Sequence, residues 1–125
     1  MKTILTIPPS ANRIWRTKFI NKSGRVITYK APDAVNWQEE AAWELKLSAK
    51  GEKLPFDKAR VETFVYWPDN RKRDAANIEK ILMDAIQDAG IVEDDKDIED
   101  HRTVVMGIDR EKPRLEIEIS RNQVI

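Results

Sequence analysis

Apolar and polar positions follow three rhythms along the chain, and each change of rhythm marks an element. Residues 2–7 alternate loosely among isoleucine, leucine and threonine, which predicts a short opening strand. Pro8-Pro9-Ser10 then forbids helix and ends ladder pairing. Across 33–50 the rhythm becomes helical: Trp37, Ala41, Leu45 and Ser48 share one face, Asp33 stands at the expected N-cap, and Gly51 marks the stop. Across 58–67 strict alternation predicts a strand with Val61, Thr63, Val65 and Trp67 on one side. Glu62, Phe64 and Tyr66 lie on the other, and Pro68-Asp69-Asn70 ends the run. Helical spacing is clearest over 75–89, where Ile78, Ile81, Leu82, Ala85, Ile86 and Ala89 form one buried stripe. Asp74 stands at its expected N-cap and Gly90 closes it. Residues 102–108 and 114–119 predict a closing hairpin, its last strand alternating Leu115, Ile117 and Ile119 with Arg114, Glu116 and Glu118. The segment 12–31 mixes basic residues with Trp15, Phe19 and Tyr29 around Asn21-Lys22-Ser23-Gly24, the pattern of an extended arm or loose hairpin. Together these elements predict a single α+β domain over residues 1–125, with two helices packed on a mixed or antiparallel sheet.

Composition narrows the chemistry. The chain has no cysteine and one histidine, His101, so neither a disulfide framework nor a thiolate or all-histidine zinc site can form within one subunit. A bound metal is expected to be a hard, oxygen-ligated ion such as Mg2+ or Mn2+. No stretch approaches the roughly 18 apolar residues of a membrane span. Met1 to Ile7 lacks the plan of a signal peptide, so the cytoplasm is the expected compartment. Net charge is zero, with 22 basic and 22 acidic residues, but the charges are segregated. Arg13, Arg16, Lys18, Lys22, Arg25 and Lys30 fall in a stretch without a single acid, whereas Glu93, Asp94, Asp95, Asp97, Glu99 and Asp100 surround Lys96 alone. That division suits a protein that grips phosphates with one part and a cation with another.

Two places could carry chemistry. Arg71, Lys72 and Arg73 lead into the second helix, whose free N–H groups and dipole favour an anion. Asp74 and Asn77 stand at its entry. Asn77, Lys80, Asp84 and Asp88 make a polar stripe beside the apolar face. The plain structural account is a capped surface helix with Lys80 and Asp84 as an i, i+4 pair. The second place is Glu93-Asp94-Asp95-Lys96-Asp97, which is either a solvated acidic loop or part of a cation site. The latter requires the chain after Gly90 to double back toward the helix. Phosphodiester hydrolysis needs a metal to polarise the phosphate and a cation to offset transition-state charge.

The order of these motifs resembles the RusA family of Holliday junction resolvases. The matching residues are Pro8-Pro9-Ser10-Ala11-Asn12-Arg13, the basic run into Asp74, Asn77 and Lys80, Asp84-Ala85 through Ala89-Gly90, Asp94-Asp95, and Pro113-Arg114-Leu115-Glu116-Ile117. The resemblance covers nearly the whole chain and is weakest over 17–57. It implies a homodimeric, Mg2+- or Mn2+-dependent endodeoxyribonuclease that resolves four-way DNA junctions by paired nicks in recombination and repair. By position, Asp74 and Asp95 would hold the metal with Asp94 beside them, and Lys80 would stabilise the phosphate. Arg13, Arg16, Lys18, Arg71, Lys72, Arg73 and Asn77, with Lys80, would contact DNA. The chain departs from the family pattern at Ala76, where a second aspartate is expected, and a methyl group cannot ligate metal. Three explanations stay open: an engineered inactivation, recruitment of Glu79, Asp84, Asp94 or Asp97 instead, or a junction-binding dimer that no longer cuts. A small protein-interaction domain whose charges merely solvate it is the third class of function. His101 is either a general base or a sheet-edge residue, and Trp37 and Trp43 are core or dimer contacts.

Overall fold

The strictly alternating run becomes an interior strand. The computed structural model describes residues 1–9, 15–20, 25–73 and 75–122, and the side chains of 15–20 and 25–27 fall outside the description. In chain order the elements are β1 (Lys2–Leu5), β2 (Trp15–Ile20), β3 (Arg25–Lys30), α1 (Pro32–Ser48), β4 (Ala59–Trp67), α2 (Ala76–Asp88), a short 3-10 turn (Asp95–Asp97), β5 (Ile98–Ile108) and β6 (Arg114–Arg121). The main sheet runs β1-β6-β4-β5. β4 pairs parallel with β5 on one side and antiparallel with β6 on the other, and β1 is antiparallel to β6. A mixed sheet with two helices is the α+β architecture expected.

The predicted closing hairpin is not formed. β5 and β6 are joined by a short turn, yet β4 lies between them and binds both. Burial explains the insertion. Ala59, Val61, Thr63 and Val65 are all buried on one face of β4, and Val61, Thr63 and Val65 stand opposite Ile119, Ile117 and Leu115 of β6. Such a strand is most stable in the sheet interior, where both its edges are also hydrogen-bonded. The opposite face is mixed: Ile4, Phe64, Tyr66 and Val104 lie among ion pairs of Arg60 with Glu62 and Asp100 and of Lys2 with Glu118. There Arg114 lies 3.9 Å over the Tyr66 ring.

Both helices bury the faces their spacing predicts. α1 buries Ala34, Trp37, Ala41 and Leu45, and the Trp37 indole N–H donates to the Thr6 carbonyl and hydroxyl, each at 3.1 Å. Trp43, by contrast, is 61% exposed. Asp33 is not the N-cap. That position belongs to Ala31, Pro32 opens the helix, and Asp33 lies within the first turn, accepting from the Ala34 N–H. Proline's fixed φ and missing N–H suit a first turn, so the helix starts before the aspartate.

α2 buries Ile78, Ile81, Leu82, Ala85 and Ile86 against the sheet. Each fully buried Leu or Ile contributes about 1.5–3 kcal/mol. Gly90, at φ +75, ends the helix in a left-handed cap: its N–H reaches the Gln87 carbonyl and the Ile91 N–H reaches the Ile86 carbonyl. The buried Ile91 and Val92 then pin the returning chain, and the Phe56 N–H bonds the Ile91 carbonyl. β2 and β3 form a separate antiparallel hairpin, Trp15 opposite Lys30 and Ile20 opposite Arg25, which resolves the arm-or-hairpin alternative. Among the described residues no helix is long and apolar enough to cross a membrane.

Candidate active site

The chain does double back after Gly90, and the acidic turn packs against α2. Asp94 caps the 3-10 turn. Its Oδ1 accepts the Lys96 N–H at 3.0 Å, while Asp97 Oδ2 accepts the Asp94 N–H at 3.3 Å. The Lys96 N–H and a hydrogen bond from Asp95 hold the Asp94 carboxyl below the usual carboxylate range. Asp95 moves the other way. Its hydrogen bond with Asp94 favours the protonated form, some loss of solvation adds to that although the side chain is exposed, and the negative charges of Asp94 and Asp84 add more. Asp94 and Asp95 thus stand side by side on the turn that packs against α2, near enough to Asp84 to feel its charge.

The polar stripe lies on α2 itself. Lys80 and Asn77 are exposed toward the head of α2, and Lys80 lies one turn before Asp84. Asp84 does not pair with Lys80. Its Oδ2 accepts instead from the Lys30 ammonium at 2.7 Å, across 54 residues of sequence. Lys30 also donates to Gln38 Oε1, and Gln38 Nε2 donates to Asp88 Oδ2 at 2.6 Å. No local signal could have found this network, because its members come from β3, α1 and α2.

The basic run before α2 divides. Arg73 folds back, its Nη1 2.6 Å from Asp69 Oδ1 and its guanidinium 5.1 Å from the Trp67 ring centre. Arg73 and the Arg71 N–H hold the Asp69 carboxyl down at about 2. Arg71 and Lys72 are exposed. Asp74 and Arg13 lie outside the described residues, and so do the side chains of Arg16 and Lys18 on β2. The Asp74–Asp95 separation is therefore not described either.

Of the carboxylates able to substitute for an aspartate at Ala76, all four have partners. Asp84, Asp94 and Asp97 are engaged as above. Glu79 turns toward β5, accepting from the Thr103 hydroxyl at 3.0 Å and lying 3.5 Å from His101 Nδ1. His101 is thus a half-buried residue of the sheet-edge strand facing α2, its Nε2 buried without a partner among the described residues. Ala76 itself is exposed at the first position of α2.

Among the described residues no three His, Cys, Asp or Glu side chains converge as a ready metal cage. A hydrated hard cation makes a smaller demand. Mg2+ keeps several waters and is commonly bound through one or two carboxylates. Asp94 and Asp95 are such a pair of adjacent carboxylates, and the hydrogen bond and charge of Asp94 that disfavour ionised Asp95 are what a divalent cation between them would offset.

A family model described as Endodeoxyribonuclease RusA matches residues 6–120. A Crossover junction endodeoxyribonuclease RusA of Aquifex aeolicus (strain VF5) is 34% identical over 96 residues, covering 77% of this chain and 71% of that protein. The Enterobacteria phage HK97 protein of the same name is 32% identical over 117 residues, 94% of this chain and 91% of its own. Its counterpart in Escherichia coli (strain K12) is 32% identical over 115 residues, 90% of this chain and 88% of its own.

Proposed function

The chain belongs to the RusA family of endodeoxyribonucleases, and from that membership we propose that it resolves four-way DNA junctions by metal-dependent nicking, acting as a homodimer. The observation that supports the metal reading is the adjacent pair Asp94 and Asp95, on a turn packed against the helix that Arg71 and Lys72 precede and Lys80 belongs to. Asp95, Asp94 and Asp74 would hold Mg2+ or Mn2+. When bound, such an ion polarises a phosphoryl oxygen and acidifies water.

The protein's own groups do the remaining work. Lys80 offsets charge that builds on the phosphate oxygens as the P–O bond breaks. Arg71 and Lys72, exposed at the approach to α2, bind the DNA backbone with Arg13, Arg16 and Lys18, and Asn77 adds a polar contact. Arg73, held by Asp69 and Trp67, braces the loop that presents its two basic neighbours. Paired nicks follow from two copies of one site acting on opposite strands of a symmetric junction.

Ala76 supports a second reading, a dimer that binds junctions without cutting them, because its methyl group supplies no ligand where the family pattern has a carboxylate. Adding the purified protein and Mg2+ to an end-labelled synthetic four-way junction separates the two. Symmetric nicks support cleavage, a shifted but intact junction supports binding alone, and failure to bind at low salt overturns both.

A further inference from the structure

Lys30 holds an unusual place for a member of a basic DNA-gripping segment. It is the last residue of β3, where the hairpin rejoins the body at α1. Its side chain is only 20% exposed, and its ammonium faces inward onto Asp84 and Gln38. Gln38 passes the contact on to Asp88, so the hairpin base, α1 and two turns of α2 are joined in one hydrogen-bonded chain. Asp84 in turn lies near enough to Asp95 for its charge to be felt there.

We propose that Lys30 is a positioning residue: by bridging to Asp84 it fixes the angle at which the β2–β3 hairpin leaves the body, and so aligns DNA held by the hairpin with the acidic flank of α2. The physical case rests on the difference between a tether and a phosphate contact. An exposed lysine on a flexible stem neutralises phosphate directly, and removing it lowers the salt dependence of binding by about one counterion. A lysine whose charge already faces a carboxylate at 2.7 Å displaces no such counterion from DNA. Its contribution to DNA binding comes instead from the geometry it imposes on its neighbours. An antiparallel pair of strands is only marginally stable alone, so the hairpin's orientation depends on what ties its base. A neutral Asp84 or an absent ammonium leaves that base without its charged tie.

The inference rests on the junction-binding reading, and the test keeps the two apart. Affinity for a labelled four-way junction is measured in EDTA over a range of salt for wild type, Lys30→Met, Asp84→Asn, the double variant and Lys30→Arg, with circular dichroism melts of each. Both single variants are expected to bind roughly tenfold more weakly, and the double variant no more weakly than the worse single one, as for one shared interaction. The slope against salt should stay as in wild type, and Lys30→Arg should restore most of the affinity. Tighter binding by Asp84→Asn, or a slope lowered by about one in Lys30→Met, overturns the proposal in favour of a direct phosphate contact. Unchanged affinity in every variant overturns it too. If the wild type itself binds no junction, the functional reading fails instead. A single variant that does not fold leaves the remaining single variant and Lys30→Arg to decide, since loss in the one and rescue in the other are still required.

Discussion

Replacing Ala76 by aspartate tests most of the metal chemistry in a single change. Position 76 is exposed and opens α2, so the new carboxylate meets no packing obstacle. Near the positive end of the helix dipole it gains about 0.3–1 kcal/mol. The lower helix propensity of aspartate relative to alanine takes back up to about 0.7 kcal/mol. Without metal, then, Ala76→Asp and wild type should melt within a few degrees of each other. With Mg2+ they should part. If the added carboxylate tightens cation binding tenfold, saturating Mg2+ stabilises the variant by about 1.4 kcal/mol more than wild type. For a chain of this size that is a further rise in Tm of roughly 5 °C. Cleavage of a labelled four-way junction in Mg2+ should increase at least tenfold in parallel. The assay is a melting curve with and without Mg2+, beside a single-turnover cleavage course. Equal Mg2+ responses and equal cleavage in the two proteins would show that residue 76 does not face the cation, and the positional assignment of Asp74, Lys80 and Asp95 would fail with it.

Other substitutions probe the neighbouring parts of the account. Asp95→Asn should abolish cleavage while leaving junction binding in EDTA within about twofold of wild type. Because the fold raises the Asp95 carboxyl above its ordinary value, its ionisation opposes folding as pH rises through that value. The variant should therefore be at least as stable as wild type at neutral pH, any advantage disappearing in acid; a clear loss of Tm at pH 7 would contradict the repulsion described. Asp69 has the opposite sign. Its folded carboxyl is held at about 2, below the ordinary 3.8, so its contribution is complete above about pH 4 and is lost as pH falls through 2. Urea melts should accordingly show Asp69→Asn less stable than wild type at pH 6 and equal to it near pH 2. Leu82→Ala removes a fully buried side chain from the α2 stripe and should lower stability by about 2.7–5 kcal/mol. A loss below 1 kcal/mol in denaturant titration would mean that α2 is not packed as described.

Much of the fold was legible because burial imposes a period. The stripe Ile78, Ile81, Leu82, Ala85, Ile86 and Ala89 has no other reason to recur at helical spacing, and all six residues are buried. Alternation in β4 was equally plain, and Asn21-Lys22-Ser23-Gly24 correctly pointed to a hairpin between Trp15–Ile20 and Arg25–Lys30. What failed was strand order. A short Asp109–Pro113 connection looks like a hairpin turn, but whether β5 and β6 pair depends on where β4, with its one buried face, must lie, which no local pattern encodes. The same limit hid the Lys30–Asp84 bridge, for which Lys80 was the nearer partner in sequence and the wrong one. Of the candidate site, motif order could only nominate Asp94, Asp95 and Lys80. Their surroundings, including the ties on Asp84, Asp88 and Glu79, depended on tertiary packing.

The most direct test of the central claim is a crystal of the protein soaked in Mn2+, with the anomalous signal used to place the ion. The account predicts one strong peak per site with carboxylate oxygens of Asp74 and Asp95 among its ligands, Asp94 adjoining and Lys80 within reach of a phosphate beside it. An ion bound elsewhere, or Asp95 left without one at saturating Mn2+, would contradict it.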